Sequence, residues 1–192
     1  YFYITGGDPI LHPDFWPLLE LLSIKKIPFT LMGNPFHLTD EVCQRMKLLG
    51  CEKYQLSIDG LEQTHDWFRK PGSYQTTLEK IETVNRAGIR SVVMTTVSGT
   101  NIHEVPGIID EVVKAGANVF AFGRYCPSVV DECDASVDPR DGASARPLTD
   151  GSEKITGMTP QEYRHLLEIC DAKFKAYEAA GYDIYFNRKD HL

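Results

Sequence analysis

Four residues near the start of the chain, Gly6-Gly7-Asp8-Pro9, are of types that suit the binding of a small cationic group. Two consecutive glycines let the backbone approach a ligand closely and adopt φ values that other residues avoid. The carboxylate of Asp8 follows them directly, and Pro9 stiffens the exit from the turn. This arrangement can hold an ammonium group, such as that of an amino acid, against a carboxylate and backbone carbonyls. An ordinary strand-to-helix turn would use the same residues, so the motif alone leaves both interpretations open.

Further polar residues follow the predicted strands, and ligands of parallel α/β folds bind at the carboxyl ends of strands. Ser57 and Asp59 alternate along one strand, so they point to the same side and can together hold a ribose. Turn formation explains some of these residues equally well. With Asp8, the polar residues at the strand ends form one candidate ring: Asn34, Ser57, Asp59, Thr96, Ser98 and Arg124.

A repeated order of amphipathic helix, glycine and short apolar strand positions these residues. Six predicted strands alternate with five predicted helices, an order that predicts parallel strands joined by right-handed crossovers. The last helix begins at a capping box, Thr159-Pro160-Gln161-Glu162. A closed eight-stranded barrel takes about 250 residues, whereas this chain has 192. We therefore predict an α/β fold with parallel strands, a partial (β/α)6 barrel similar to the TIM barrel.

The chain divides into three predicted parts of one domain. Residues 1–125 form the barrel core, and residues 159–192 add a final helix and strand. Residues 126–158 show no sustained periodicity and are dominated by Asp, Ser, Pro and Gly. A loop of that length inside a domain is either functional or disordered. The functional interpretation is a lid or substrate-recognition loop over the site, and the alternative is an insertion without a role.

Composition excludes several classes of protein. A net charge of -7 argues against nucleic acid as a partner. No apolar stretch approaches the roughly 18 residues that a membrane helix needs. The five cysteines are odd in number and widely spaced, which does not resemble a secreted disulfide framework and favours a reducing cytoplasm. Cys170 falls on the apolar stripe of the last helix and is predicted to be a core residue.

Two segments together resemble the radical S-adenosylmethionine (SAM) enzymes. Gly6-Gly7-Asp8-Pro9 resembles the Gly-Gly-Glu-Pro segment of that family. A second family segment is similar to the run Gln55-Leu56-Ser57-Ile58-Asp59-Gly60. This run is followed by His65-Asp66 and then by Arg69-Lys70-Pro71-Gly72-Ser73-Tyr74, which also belong to the similar segment. The similarity is greatest to the branch that modifies peptides and proteins, including peptide maturases and sulfatase-maturing enzymes. It extends to about Tyr125.

The resemblance implies a SAM site. Gly6, Gly7 and Asp8 would hold the amino group of the methionine part of SAM, with Pro9 shaping the turn. Ser57 and Asp59 would lie near the ribose or the carboxylate of SAM. Thr96 and Arg124 occupy later strand ends at which the family often places further SAM contacts.

Two further residues are expected to face the substrate. His65 and Arg69 would lie in a loop over the site, although a salt-bridged or merely solvated side chain is an equally good interpretation of Arg69. The substrate implied by the resemblance is a peptide or protein.

The chain departs from the family pattern in two ways. Asp8 stands where the family usually has Glu, which reaches one methylene further. The family also binds a [4Fe-4S] cluster through a Cys-x3-Cys-x2-Cys motif, and no cysteines here have that spacing. We expect the cluster ligands, and the first barrel strand, to precede Tyr1. Cys126 and Cys133 are candidates for a second cluster or metal, with scattered loop thiols as the simpler alternative.

The resemblance therefore implies the core of an enzyme that reductively cleaves SAM at a [4Fe-4S] cluster. The resulting 5′-deoxyadenosyl radical abstracts hydrogen from the substrate, and a flavodoxin or ferredoxin serves as reductant. A segment without the cluster loop is expected to be inactive by itself. The sequence leaves two alternatives open: a non-radical barrel enzyme of the aldolase or isomerase type, and a degenerate, non-catalytic peptide-binding module.

Overall fold

A computed structural model describes residues 1–126 and 155–187, which form an α/β fold. Within these residues all strands are parallel, as predicted, and they form a single sheet in the order β1-β2-β3-β4-β5-β6. The strands are β1 (Phe2–Ile4), β2 (Phe29–Met32), β3 (Cys51–Ser57), β4 (Arg90–Val97), β5 (Val119–Arg124) and β6 (Tyr185–Phe186). The helices are α1 (Phe15–Ile24), α2 (Asp40–Leu48), α3 (Glu62–Phe68), α4 (Ser73–Arg86), α5 (Val105–Lys114) and α6 (Pro160–Ala179).

The helices pack against one face of the sheet. Alternate residues of a strand point to opposite faces, and the residues facing the helices are almost completely buried. Each such large apolar side chain stabilises the fold by roughly 1.5–3 kcal/mol. The buried set on this face includes Phe29, Leu31, Tyr54, Leu56, Val93, Phe120 and Phe122. Cys170 lies in the same core, as predicted.

The opposite face of the sheet is concave. A cavity of about 480 Å³ on this face is lined by residues from all six strands, from Tyr3 of β1 to Tyr185 of β6. A sheet whose first and last strands line one cavity has to curl. The structure therefore confirms a partial barrel with parallel strands. Within the described ranges, no helix is long and apolar enough to cross a membrane.

Local capping signals define the helix starts. The Thr39 hydroxyl accepts a hydrogen bond from the Val42 amide at the start of α2, and a complete capping box joins Thr159 to Glu162 at the start of α6. Both caps follow from the sequence. Most of the predicted loop at 126–158, and with it Cys133, lies outside the described residues.

Candidate functional site

The glycine turn after β1 buries the carboxylate of Asp8. Gly6 and Gly7 have φ values of 112° and 56°, a region that favours glycine. The Asp8 side chain is 3% exposed, and neither of its oxygens has a hydrogen-bond partner among the described residues. The imidazole Nε2 of His37 lies 3.9 Å from Oδ2, which is too long for a hydrogen bond.

A buried carboxylate without partners is costly, because burial removes its hydration without replacing it. The orphaned oxygens of Asp8 therefore fit a ligand that brings its own hydrogen-bond donors and a positive charge. An amino-acid ammonium group has both. This is the strongest structural sign of a ligand at the carboxyl edge of the sheet.

Gly33, at the end of β2, leaves space for the Asp8 side chain. A Cβ atom at this position would lie 3.1 Å from Asp8 Oδ1 and 3.3 Å from Pro9 Cδ, and would also overlap the hydroxyl of Tyr54. That hydroxyl donates to the carbonyl of Asn34 at 3.2 Å. Burial, together with the charge of Asp8, raises the pKa of Tyr54, so the hydroxyl stays protonated and remains a donor.

We expect Gly33→Ala to lower the free energy of unfolding by about 1–3 kcal/mol, because the added methyl group overpacks the turn. Chemical denaturation measures the change. Gly107→Ala is the matched control, since its Cβ would meet Leu61 only at ordinary contact distances of 3.5 Å and longer. The double substitution Gly33→Ala/Tyr54→Phe should recover part of the loss. Equal stability of the two alanine variants would contradict the close approach inferred here.

The ends of β3 and β4 are joined through Asp59. Arg69 donates from Nε and Nη2 to Asp59 Oδ2 at 2.8 and 2.5 Å, and the Thr96 amide donates to Oδ1 at 2.8 Å. The Asn101 side-chain amide donates to the carbonyls of Asp59 and Thr96 at 2.7 and 2.8 Å. Asp59 is thus internally bonded, and a ribose hydroxyl would compete with these donors. The salt-bridge interpretation of Arg69 is confirmed.

His65 does not lie in a loop, which corrects the expectation from the sequence. It belongs to α3 and is 1% exposed. Its Nδ1 accepts from the Asp59 amide at 3.1 Å, so Nε2 carries the proton and donates to the Ser73 hydroxyl at 3.2 Å. Burial lowers the pKa of His65, which keeps the ring neutral. A buried ring with both nitrogens bonded offers no surface to a substrate, and here it positions Asp59.

The lowered pKa of His65 predicts a pH-dependent stability. An unfolded histidine protonates near 6.5, whereas the folded protein resists that proton. The contribution is complete above about pH 6.5 and is lost as pH falls towards the lowered pKa. We expect the stability difference between wild type and His65→Asn to shrink between about pH 7.5 and about pH 5.5. Urea unfolding at both values measures this difference, and a constant difference would argue against a neutral buried ring.

A cavity of about 260 Å³ opens beside the Asp59–Arg69 pair. Its walls are formed by residues from the ends of β3, β4 and β5, from α3 and from the segment before α6: Asp59, Phe68, Arg69, Thr96, Ser98, Tyr125 and Ile155. Thr96 is exposed here, and the Arg69 side chain is 42% exposed. The cavity therefore presents donors and a positive charge to a ligand at the same edge of the sheet as Asp8.

The remaining predicted site residues lie on different faces of the sheet. Ser57 is partly exposed and shares the concave face with Gln55 by strand alternation. Arg124 lies two positions after the buried Phe122 on β5, so both side chains point to the same face of the sheet. The guanidinium carbon of Arg124 lies 5.8 Å from the ring centre of Tyr163 on α6. It is on the helix-covered side, so its predicted SAM contact stays a prediction that this placement does not support.

The described cysteines do not fit an iron–sulfur cluster. Cys43, Cys51 and Cys170 are buried, and burial raises the pKa values of their thiols to about 11, 12 and 12 respectively. Cluster ligands are thiolates, so these three are core residues. In the described part of the chain, no group of three His, Cys, Asp or Glu side chains can hold a metal ion.

The curled parallel sheet defines a partial α/β barrel, and the buried, unpartnered carboxylate of Asp8 lies at its carboxyl edge. The family model of the radical SAM superfamily matches residues 1–112, more than half of the chain, and the chain belongs to this superfamily. The family match does not favour a non-radical barrel enzyme or a degenerate binding module.

Known proteins similar to this chain include a maturation protein and a heme synthase. The sporulation killing factor maturation protein SkfB of Bacillus subtilis is 29% identical over 122 residues, 63% of this chain and 30% of SkfB. The AdoMet-dependent heme synthase of Methanosarcina barkeri is 28% identical over 140 residues, 72% of this chain and 40% of the synthase. The chain thus spans less than half the length of these relatives.

The fold is similar to that of Streptococcus suis SuiB in its crystal structure bound to S-adenosylmethionine. The TM-score is 0.65 at 14% identity, and the match covers 96% of this chain and 38% of SuiB. SuiB has also been solved bound to its precursor peptide SuiA. At this identity the likeness establishes the fold alone.

Proposed function

We propose that the full protein binds SAM at the carboxyl edge of this sheet and uses it to modify a peptide or protein. When bound to a reduced [4Fe-4S] cluster, SAM supplies a 5′-deoxyadenosyl radical that removes a hydrogen atom from the substrate. The single observation that carries the proposal is the buried, unpartnered carboxylate of Asp8.

This chain contributes binding and orientation. Asp8 accepts the ammonium group of SAM, and Gly6, Gly7 and Pro9 shape the turn that holds it. Ser57 and Thr96 offer hydroxyls on the open side of the sheet. A charged hydrogen bond to Asp8 is worth roughly 1.5–3 kcal/mol.

Arg69 and Asp59 have a coupled role in the proposed site. Because Asp59 holds the guanidinium through Nε and Nη2, the remaining donors of Arg69 can face the cavity. A guanidinium in that position suits a carboxylate, such as that of SAM or of the substrate. Asp59 then acts mainly by positioning Arg69 and the Thr96 amide.

The cluster ligands are proposed to precede Tyr1, since the described cysteines do not form the required set. A flavodoxin or ferredoxin is proposed as the electron donor. A cytoplasmic location is supported by the free thiols of Cys43, Cys51, Cys126 and Cys170.

A peptide substrate is supported by the names of similar proteins, SkfB as a maturation protein and SuiB with a precursor peptide. The similarity to AdoMet-dependent heme synthases favours a second candidate, the modification of a tetrapyrrole. We propose the peptide, because Gly6–Pro9 and Gln55–Tyr74 together most resemble the branch that modifies peptides and proteins.

The test uses the full-length protein, reconstituted with iron and sulfide and reduced with dithionite. We expect 5′-deoxyadenosine to form from SAM, as measured by chromatography. A full-length protein that lacks a Cys-x3-Cys-x2-Cys motif before Tyr1, or that forms no 5′-deoxyadenosine with its cluster loaded, would overturn the proposal. Consumption of a porphyrin in place of peptides would favour the second candidate.

A further inference from the structure

Two basic residues face each other on the concave side of the sheet. Lys53 of β3 and Arg90 of β4 are register partners, and both line the 480 Å³ cavity. Directly opposed like charges on neighbouring strands destabilise a sheet. The fold therefore carries a local repulsion that an anionic occupant would relieve.

Within the described ranges, neither basic residue of this pair forms an ion pair with an acid. Neither side chain forms an ion pair or a hydrogen bond there, whereas six other Lys and Arg side chains form ion pairs with carboxylates: Arg45, Arg69, Arg86, Lys114, Lys173 and Lys175. The sequence neighbour Glu52 interacts with the hydroxyl of Tyr1. The basic pair is unusual in a chain with a net charge of -7.

The rest of the cavity supplies hydrogen-bonding groups and aromatic surface. Thr30 and Gln55 lie beside the pair, and Tyr3 and Tyr185 are 64% and 56% exposed at the two edges of the curled sheet. Polar groups around a cationic centre, with tyrosines at the rim, are suited to an extended peptide with an acidic side chain. An apolar partner would leave both charges unpaired.

The position of the pair relates it to the proposed SAM edge. Lys53, Gln55 and Ser57 lie on the same face of β3. A strand rises about 3.3 Å per residue, so Lys53 and Ser57 are about 13 Å apart along it. An extended peptide can therefore place one residue at the carboxyl edge and an acidic residue about four positions away over the basic pair.

We propose that Lys53 and Arg90 form a specificity site for an acidic side chain of the peptide substrate. This rests on the proposed function, because it takes the concave face as the substrate surface. The occupant is identified by charge complementarity: a carboxylate between two cations that have no other partner in the described structure.

The experiment measures peptide binding by fluorescence anisotropy on the full-length protein at about 0.15 M salt, where long-range charge effects are screened. The probes are a labelled synthetic peptide in which glutamates alternate with glycines and its counterpart with glutamines. We expect the acidic peptide to bind about tenfold more tightly, the size of effect that one charged hydrogen bond gives. Lys53→Gln/Arg90→Gln should abolish the preference.

Lys25→Gln/Arg164→Gln is the matched control, because it removes the same charge from two exposed positions. Lys25 lies just after α1, and Arg164 lies on α6. This variant should keep the preference. Equal affinity of wild type for the two peptides overturns the inference, and so does an equal loss in the control variant. A porphyrin dicarboxylate that binds at Lys53 and Arg90 more tightly than the acidic peptide also overturns it.

SAM binding, measured in parallel by calorimetry, separates this inference from the proposed function. Wild type that binds SAM but shows no acidic preference contradicts only the basic-pair site. Wild type that does not bind SAM contradicts the proposed function. Retained SAM binding by Lys53→Gln/Arg90→Gln shows that this variant is folded.

Discussion

Asp8→Asn is expected to weaken SAM binding by the full protein at least about tenfold, since a charged hydrogen bond contributes roughly 1.5–3 kcal/mol. The same substitution should raise the melting temperature of the SAM-free protein. The carboxylate of Asp8 is 3% exposed and has no hydrogen-bond partner in the described structure, so removing its charge removes a cost of burial. Isothermal titration calorimetry and thermal unfolding measure the two effects.

Opposite signs in the two measurements distinguish a ligand site from a structural residue. A structural carboxylate would lose stability on neutralisation, whereas a preorganised ligand site gains it. Asp14→Asn is the control, because Asp14 is exposed and its side chain makes no capping hydrogen bond to α1. It changes the net charge equally and should leave both measurements unchanged. Unaltered SAM affinity in Asp8→Asn would remove Asp8 from the site.

Local sequence signals predict most of the fold. The Thr39 cap and the Thr159–Glu162 capping box involve residues three positions apart, so the sequence alone reveals them. Helix α3 was missed because its start is stabilised from far along the chain. Glu104 accepts from the Leu61 amide and from the Thr64 hydroxyl, 43 and 40 positions away. No pattern within α3 signals that contact.

The candidate site shows the same limit. Strand ends are predictable, which placed Asp8, Ser57 and Thr96 at one edge of the sheet. Hydrogen-bond partners are not predictable in this way, because they depend on tertiary packing. The donors to Asp59 lie 10 and 37 positions later in the chain. Asn101, whose side-chain amide links the ends of β3 and β4 together with Asp59, was also missed. The local signal was an asparagine just past β4, three positions after Ser98. The side-chain oxygen of Asn101 accepts a hydrogen bond from the Ser98 amide.

Arg69→Gln is expected to lower the free energy of unfolding by about 2 kcal/mol, because it leaves the Asp59 carboxylate buried without its cation. Asp59 is 8% exposed, whereas Arg69 is 42% exposed and keeps part of its hydration. The cost should therefore arise mainly from the carboxylate, and Arg69→Gln/Asp59→Asn should be more stable than Arg69→Gln alone. Urea unfolding of wild type, Arg69→Gln, Asp59→Asn and the double variant gives the coupling energy.

Arg86→Gln is the control for this cycle. Arg86 pairs with Asp40 at 2.8 Å, but both side chains are 53% exposed. Exposed pairs of this kind contribute less than about 1 kcal/mol. A loss in Arg69→Gln no larger than in Arg86→Gln would show that burial does not strengthen the Asp59–Arg69 pair.

The same variants decide how Asp59 serves the proposed SAM site. If Asp59 contacts SAM directly, Asp59→Asn lowers SAM affinity further in a protein that already carries Arg69→Gln. If it acts by holding Arg69, Asp59→Asn and Arg69→Gln weaken SAM binding by similar factors, and the double variant is no worse than either. We expect the second result, because Oδ2 accepts twice from Arg69 and Oδ1 accepts from the Thr96 amide. A carboxylate with those three bonds has little capacity left for a ribose hydroxyl.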